Sequence, residues 1–397
     1  MPTRREFLLA GAGLALPLQA GHPPLKITGM EVIVVKVNQR GNWIFVRLKT
    51  DHGLTGLGEA SHGGGFRGEG DQRMQATLAE YFELVRGRSP FEIEAYRQRG
   101  RARAKAGGRM EATAFSALEQ AQWDLAGKAL GAPLYELLGG KLRSEIEVYA
   151  NINRATNGER SPEQFAENAG RAKQEGFRAV KGAVFDDFPR RTAPRSEIDK
   201  FTALGIARAE AMRQAIGPDA GLLIDCHSHF DRTLGIEVAR RMEPQSLYWY
   251  EEPVPPQDLE NTAAIHAAIQ QRMAGGEVLF GMEGFAPLTR AHALDILMPD
   301  VKHCGGMLEA HKIAAVAEMD GVQVAPHNPS GPVAMAASVQ LCAGLPNFLI
   351  LEYAWGEAPW RKDLITPPEE FSGGRIRVPQ APGFGIELNE RVVREHA

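Results

Sequence analysis

Cysteine is scarce in this chain: Cys226, Cys304 and Cys342 are the only three in 397 residues, and they lie far apart. That excludes the disulfide framework on which small secreted domains depend. Past the first two dozen residues, no run is long and apolar enough to span a bilayer as a helix. A strong charge of one sign is also missing. The net charge of -4 offers no basic surface for nucleic acid. It does not exclude an anionic substrate, because a bound cation can dominate the local field. Hydrophobic residues at 44% and charged residues at 24% are ordinary globular usage. The length suits two domains or a large barrel rather than one small core.

The N-terminus departs from this pattern. Arg4-Arg5 precedes the short apolar run from Leu9 to Leu16, which is of signal rather than membrane-spanning length. The paired arginines look like a twin-arginine export signal, so residues 1–24 are expected to direct the protein to the periplasm. Folding in the cytoplasm before export agrees with the absence of a disulfide framework.

Residues 27–37 and 43–49 are rich in β-branched and aromatic residues and read as strands. Helical periodicity occupies about 73–138. Together they predict an α+β capping domain over 25–144. From 145 the rhythm changes to strand followed by helix. Apolar runs recur at 147–150, 179–181, 222–224, 248–250, 273–275, 294–297, 322–325 and 348–351. One intervening helix opens on Ser161-Pro162-Glu163-Gln164, a capping box with proline in the first turn. Eight such strands predict a closed parallel barrel of the triosephosphate-isomerase type over 145–360. An open doubly wound sheet lacks its mark, since no glycine-rich phosphate fingerprint follows the first strand. The segment 361–397 is expected to return to the capping domain.

Functional side chains in such barrels sit at the C-terminal ends of strands. Three runs end in acids, Asp225, Glu251 and Glu277, at successive intervals of 26 residues. One strand–helix unit has about that length, so the three carboxylates should project side by side into one mouth. Without a cation they would repel and their pKa values would rise. Oxygen-only ligands favour Mg²⁺ over zinc. Glu252 must point the other way on a strand, toward a nearby base.

Two histidines reach the same rim. His227 lies two residues past Asp225, on the same side of an extended chain. His327 ends the seventh strand, beside Asp300 at the end of the sixth, and an Asp–His pair fixes the imidazole tautomer and raises its basicity. His229 makes a His-x-His with His227, but a zinc pair of that kind would sit on the first strand of a barrel hydrolase. His303, three residues past Asp300, is ambiguous in sequence. Lys181, ending the second strand, could hold a substrate carboxylate, and Glu352, ending the last, could bond the carboxylate or an intermediate.

At this point the order of parts resembles the enolase superfamily, in its mandelate racemase-like branch. The resemblance rests on Trp123-Asp124-Leu125-Ala126-Gly127-Lys128 with Leu137-Leu138-Gly139-Gly140, and on Glu251-Glu252-Pro253 and Gly275-Gly276-Glu277. It continues through Met298-Pro299-Asp300 with Gly305-Gly306, and Ala325-Pro326-His327. It implies a modified (β/α)7β barrel under an α+β capping domain, with Asp225, Glu251 and Glu277 as Mg²⁺ ligands and Asp300–His327 as base dyad. The racemases of this branch carry Lys-x-Lys on the second strand, whereas Lys181 is followed by Gly182 and Ala183. The muconate-lactonising branch has a lysine where Asp300 stands. Asp225-Cys226-His227 is similar to the galactonate dehydratase type. The resemblance thus implies dehydration of an acid sugar to a 2-keto-3-deoxy acid, with His227 as the acid, in a homo-oligomer with no nucleic-acid or membrane partner. A hydroxy-acid racemase or epimerase, or an exported acid-sugar-binding protein without turnover, are the alternatives. The 62–67 and 184–195 loops are expected to close over the substrate.

Overall fold

A computed structural model describes residues 24–38, 41–62, 69–156 and 158–397. The expected export segment, up to residue 23, and residues 63–67 of the first closing loop therefore lie outside the described residues. Among the described residues no helix is long and apolar enough to cross a membrane.

Three antiparallel strands come first: β1 (Ile27–Asn38), β2 (Gly41–Thr50) and β3 (Thr55–Glu59). The central β2 is apolar on both faces and is covered on both. Its Ile44, Val46 and Leu48 pack on three helices, α1 (Glu69–Phe82), α2 (Ile93–Ala106) and α3 (Gly108–Leu130), while Trp43 and Phe45 belong to the larger core. Strand β3 lies so close to α3 that a Cβ on Gly58 would meet the Ala117 carbonyl oxygen at 2.0 Å. Only glycine permits that approach.

After the short helix α4 (Leu134–Leu137) the chain alternates. The barrel runs β4 (Glu145–Asn151), α5 (Pro162–Gln174), β5 (Ala179–Gly182), α6 (Arg195–Ile216), β6 (Gly221–Asp225), α7 (Arg232–Arg241), β7 (Trp249–Glu251) and α8 (Leu259–His266). It continues through β8 (Met273–Gly275), α9 (Met282–Arg290), β9 (Ile296–Leu297), α10 (Met307–Met319), β10 (Gln323–Val324), α11 (Pro332–Gly344) and β11 (Leu351–Ala354). Strands β4 to β10 pair in parallel in chain order, and β11 pairs with β4. A parallel bridge between Val324 and Phe348 links β10 to the segment leading into β11. The result is the (β/α)7β arrangement under an α+β cap. Ser161 caps α5 as its sequence signals, accepting from the Gln164 amide.

The last part holds β12 (Ile365–Thr366), β13 (Phe371–Ser372), β14 (Arg375–Arg377), β15 (Glu387–Leu388) and α12 (Glu390–Glu395). Strand β14 pairs antiparallel with β4 of the barrel, while the Lys36 amide of β1 donates to the His396 carbonyl. This segment therefore touches both barrel and cap.

Candidate active site

A small cluster inside the barrel sets the direction of the functional side chains. Tyr149, Ala179, Leu223, Trp249, Met298, Ala325 and Ile350 point inward and pack on one another. Two residues further along each segment come Asn151, Lys181, Asp225, Glu251, Asp300, His327 and Glu352. Side chains alternate along an extended chain, so these seven face the same interior one layer higher, at the C-terminal mouth. Glu277 breaks the parity, lying three residues past inward-facing Ala274. Gly276, at φ +108°, makes the change, and a Cβ there would meet the Phe285 ring at 2.7 Å.

The mouth is crowded with buried carboxylates. Asp225 and Glu251 are register partners across β6 and β7. Lys181 Nζ, itself buried, lies 2.8 Å from Glu251, 3.0 Å from Glu352 and 3.6 Å from Asp225. Trp249 Nε1 donates to the other Glu251 oxygen at 2.7 Å. One lysine does not offset this many acids. Burial and the like charge of Asp225 push Glu251 up to about 8, against the pull of Lys181. Glu352 is better served: its oxygens accept from Asn151 Nδ2 at 2.6 Å and the Asn328 amide at 2.8 Å. Lys181 and His327 hold it below the usual range in spite of burial.

Glu252 does leave the barrel interior, but among the described residues no base pairs with it. Its Oε1 accepts from the Gly276 and Glu277 amides at 2.7 and 3.3 Å, and Gly275 gives it room, since a Cβ there would lie 2.9 Å from Glu252 Cγ. The carboxylate thus fixes the turn that presents Glu277. Burial and the neighbouring Glu277 charge raise it to about 8.

His327 and Asp300 meet as the strand ends imply, with Nδ1 2.8 Å from Asp300 Oδ2. Nε2 lies 3.0 Å from Glu277 Oε2 and 3.8 Å from Glu352 Oε2. Burial works against the charged ring, yet Glu277, Glu352 and Asp300 raise it to about 10. Sequence reasoning missed Lys302, whose Nζ and amide both bond Asp300 at 2.7 Å. Its place two residues after Asp300 was the available signal. His303 donates or accepts with Thr113 Oγ1 of α3 at 2.9 Å and lies 3.6 Å from Asp300.

His227 reaches the mouth by a route other than an extended chain. Its φ is +42°, and the Asp225 carboxylate turns back to accept the His227 amide at 2.9 Å. Nε2 then stands 3.0 Å from Asp225 Oδ2, and Nδ1 bonds Asp186 Oδ1 at 2.5 Å. Asp186, in the 184–195 loop, carried no spacing signal of its own. His229 instead packs beside Phe188.

These groups line a cavity of about 290 Å³ whose wall includes Lys181, Asp225, His227, Glu277, Lys302 and His327. The cap contributes His62, the first residue of the loop expected to close over the substrate, and Arg109, which the sequence did not single out; Arg109 meets His303 across 194 residues of chain. Among the described residues, Asp225, His227 and Glu277 bring ligand atoms within 4.8 Å of one another. Glu251 is adjacent but engaged by Lys181 and Trp249. Glu277 Oε2 is buried without an aligned hydrogen bond. An anionic oxygen whose near neighbours are a second carboxylate and the unaligned His327 Nε2, at 3.0 Å, fits a hard divalent cation, which prefers oxygen ligands.

The chain matches the family model described as Enolase C-terminal domain-like over 164–392. Over 22–139 it matches the N-terminal domain of the mandelate racemase and muconate lactonizing enzymes. It is 37% identical to a D-gluconate dehydratase of Thermoproteus tenax over 366 residues, 89% of this chain and 69% of that one. It is 30% identical to a D-galactonate dehydratase of Ralstonia pickettii, covering 89% and 91%. A solved enolase-superfamily member from Salmonella Typhimurium superimposes with a TM-score of 0.84 at 28% identity, over 94% of this chain and 98% of that one.

Proposed function

The chain belongs to the enolase superfamily, and from that membership we propose that it is a magnesium-dependent hydro-lyase that dehydrates an acid sugar to a 2-keto-3-deoxy acid. The observation that carries this reading is the pair of histidines lining one cavity from different barrel strands, each with an aspartate on Nδ1. Elimination of water needs a base for the α-proton and an acid for the departing hydroxyl, in separate positions.

Asp225, Glu251 and Glu277 would hold the metal, Glu251 giving up part of its pairing with Lys181. When bound, Mg²⁺ would supply positive charge that offsets the charge developing on the substrate carboxylate. Lys181 holds and orients that carboxylate, and Glu352, 3.0 Å from its Nζ, keeps the ammonium in place. His327 Nε2, steered by Asp300, takes the proton from C2. The C–H electron pair moves first into the substrate carboxylate; it then forms the C2–C3 double bond as the C3–O bond breaks, and His227 gives the oxygen its proton so that water departs. Tautomerisation of the enol yields the 2-keto-3-deoxy acid. A base must be neutral to act, and His327 is charged at neutral pH when Glu277 stands uncompensated. Offsetting the Glu277 charge lowers the imidazole pKa toward its working range.

The test is a screen of acid sugars with Mg²⁺, read as semicarbazide-reactive keto acid. Keto acid from at least one sugar acid is expected. Epimerised substrate without keto acid would favour a racemase, and tight metal-independent binding without C2 proton exchange would favour a binding protein. The N-terminal arginine pair and apolar run support an exported enzyme, which a cell fractionation with Arg4→Lys/Arg5→Lys would test through retention in the cytoplasm.

A further inference from the structure

We infer that Asp186 is a positioning residue for the acid half of the reaction, and that the loop carrying it is built to hold the His227 ring by Nδ1 independently of the metal. The inference rests on the dehydratase reading above. It begins from two neighbouring acids with separate tasks. Asp187 is spent on structure: Arg208 of α6 grips both its oxygens at 2.6 and 2.7 Å and also bonds the Val184 carbonyl at 2.7 Å. The loop is held at its start by Asn153, which accepts the Ala183 amide at 2.7 Å. Beneath it, Phe185 and Phe188 pack on Phe230, with ring centroids 5.0 and 5.1 Å away. Gly205 of α6 leaves the space Phe185 needs, since a Cβ there would sit 2.0 Å from the ring.

With the loop fixed from three sides, Asp186 is left facing His227. Its Oδ1 meets Nδ1 at 2.5 Å, and among the described residues only a distant Arg160 contact, at 3.8 Å, engages its other oxygen. His227 Nε2 rests against Asp225. Once Asp225 holds a cation, that second contact is weakened and the Asp186 bond alone keeps Nε2 turned to the cavity. A ring anchored through one nitrogen by a carboxylate presents the other nitrogen in a defined tautomer. The arrangement repeats the Asp300–His327 pair on the opposite half of the reaction.

Asp186→Ala should therefore slow elimination, by roughly 10- to 100-fold if orientation contributes a share of general-acid catalysis, while His327 still moves the C2 proton. In deuterium oxide, recovered substrate from this variant should gain deuterium at C2 faster than keto acid forms. His227→Asn should behave alike, and the double variant should be no slower than His227→Asn alone, because the two residues act as one unit. Equal loss of exchange and elimination, or additive losses in the double variant, would overturn the inference. So would unchanged elimination. A second readout needs no turnover: at a pH high enough for the His227 ring to be neutral, the ¹⁵N spectrum of the magnesium-loaded protein should show its remaining proton on Nδ1, retained in Asp187→Asn and displaced in Asp186→Ala. A tautomer indifferent to Asp186 contradicts the proposal. Absence of both exchange and keto acid from the unaltered protein with every acid sugar would instead mark failure of the dehydratase reading.

Discussion

Two sets of buried carboxylates in this molecule have different surroundings. At the junction of cap and barrel, Glu59 accepts the Gly331 and Ala334 amides at 2.7 and 2.8 Å, at the start of α11. Glu119 accepts the Met307 and Leu308 amides at the start of α10, and Trp123 Nε1. Asp124 accepts the Leu57 and Phe384 amides and lies 2.9 Å from Lys128. These acids supply the acceptors that helix N-termini and strand edges lack, where the helix dipole also favours negative charge. Burial raises all three, Glu119 to about 7, but the opposing contributions are mainly hydrogen bonds. At the mouth, Asp225, Glu251 and Glu277 face one another. The second cause of the high Glu251 pKa is a neighbouring carboxylate, and a Glu277 oxygen has no aligned donor. Burial alone does not distinguish a structural acid from a functional one. What distinguishes them is whether each lone pair is already answered within the fold.

The sharpest way to break this comparison is at the base. His327→Asn or Asp300→Asn should lower C2 proton exchange by about 10²- to 10⁴-fold, the range a positioned general base supplies; exchange is followed by proton NMR in deuterium oxide. Both should retain the fold by circular dichroism.

Glu251→Gln comes next. Removing one anionic ligand should weaken Mg²⁺ binding on the order of 100-fold. At neutral pH it should cost less than about 1 kcal/mol of metal-free stability, since the carboxyl already holds its proton. Denaturant titration with and without Mg²⁺ separates the two effects.

The same raised carboxyl sets a pH dependence. In the metal-free protein Glu251 is protonated below about 8, so binding a cation must expel that proton. Affinity should rise with pH by about tenfold per unit from 6 toward 8 and continue to rise toward 10, because cation binding also lowers the His327 pKa. A flat profile across that window would contradict the charge assignment.

Glu119→Ala should give the opposite pattern. It leaves two amides and an indole N–H buried without an acceptor, so stability should fall by about 1–3 kcal/mol, with Mg²⁺ affinity unchanged.

Strand-and-helix rhythm made the barrel legible, because burial on both faces of a parallel sheet leaves unbroken apolar runs. Asp225, Glu251, Asp300 and His327 were legible for a related reason: each lies two residues past an inward-facing core residue, so parity alone aims it. Glu277 kept the sequence interval but reaches the mouth only through the turn at Gly276, whose amide Glu252 holds. Parity fails wherever φ turns positive, as at His227, which reaches the expected mouth by a turn rather than along an extended chain. Contacts made across long stretches of chain left no local trace. Asp186 meets a residue 41 positions away, and Thr113 of the cap meets His303 across 190. Both contacts span far more than one helical turn or one strand step, so no periodicity could announce them.

The most direct measurement is a calorimetric Mg²⁺ titration of the unaltered protein beside Glu251→Gln, Glu277→Gln and Glu119→Ala. The account predicts one ion per chain in the unaltered protein and in Glu119→Ala, with binding sharply weakened in the other two. Binding indifferent to residues 251 and 277, or no binding to the unaltered protein, would contradict it.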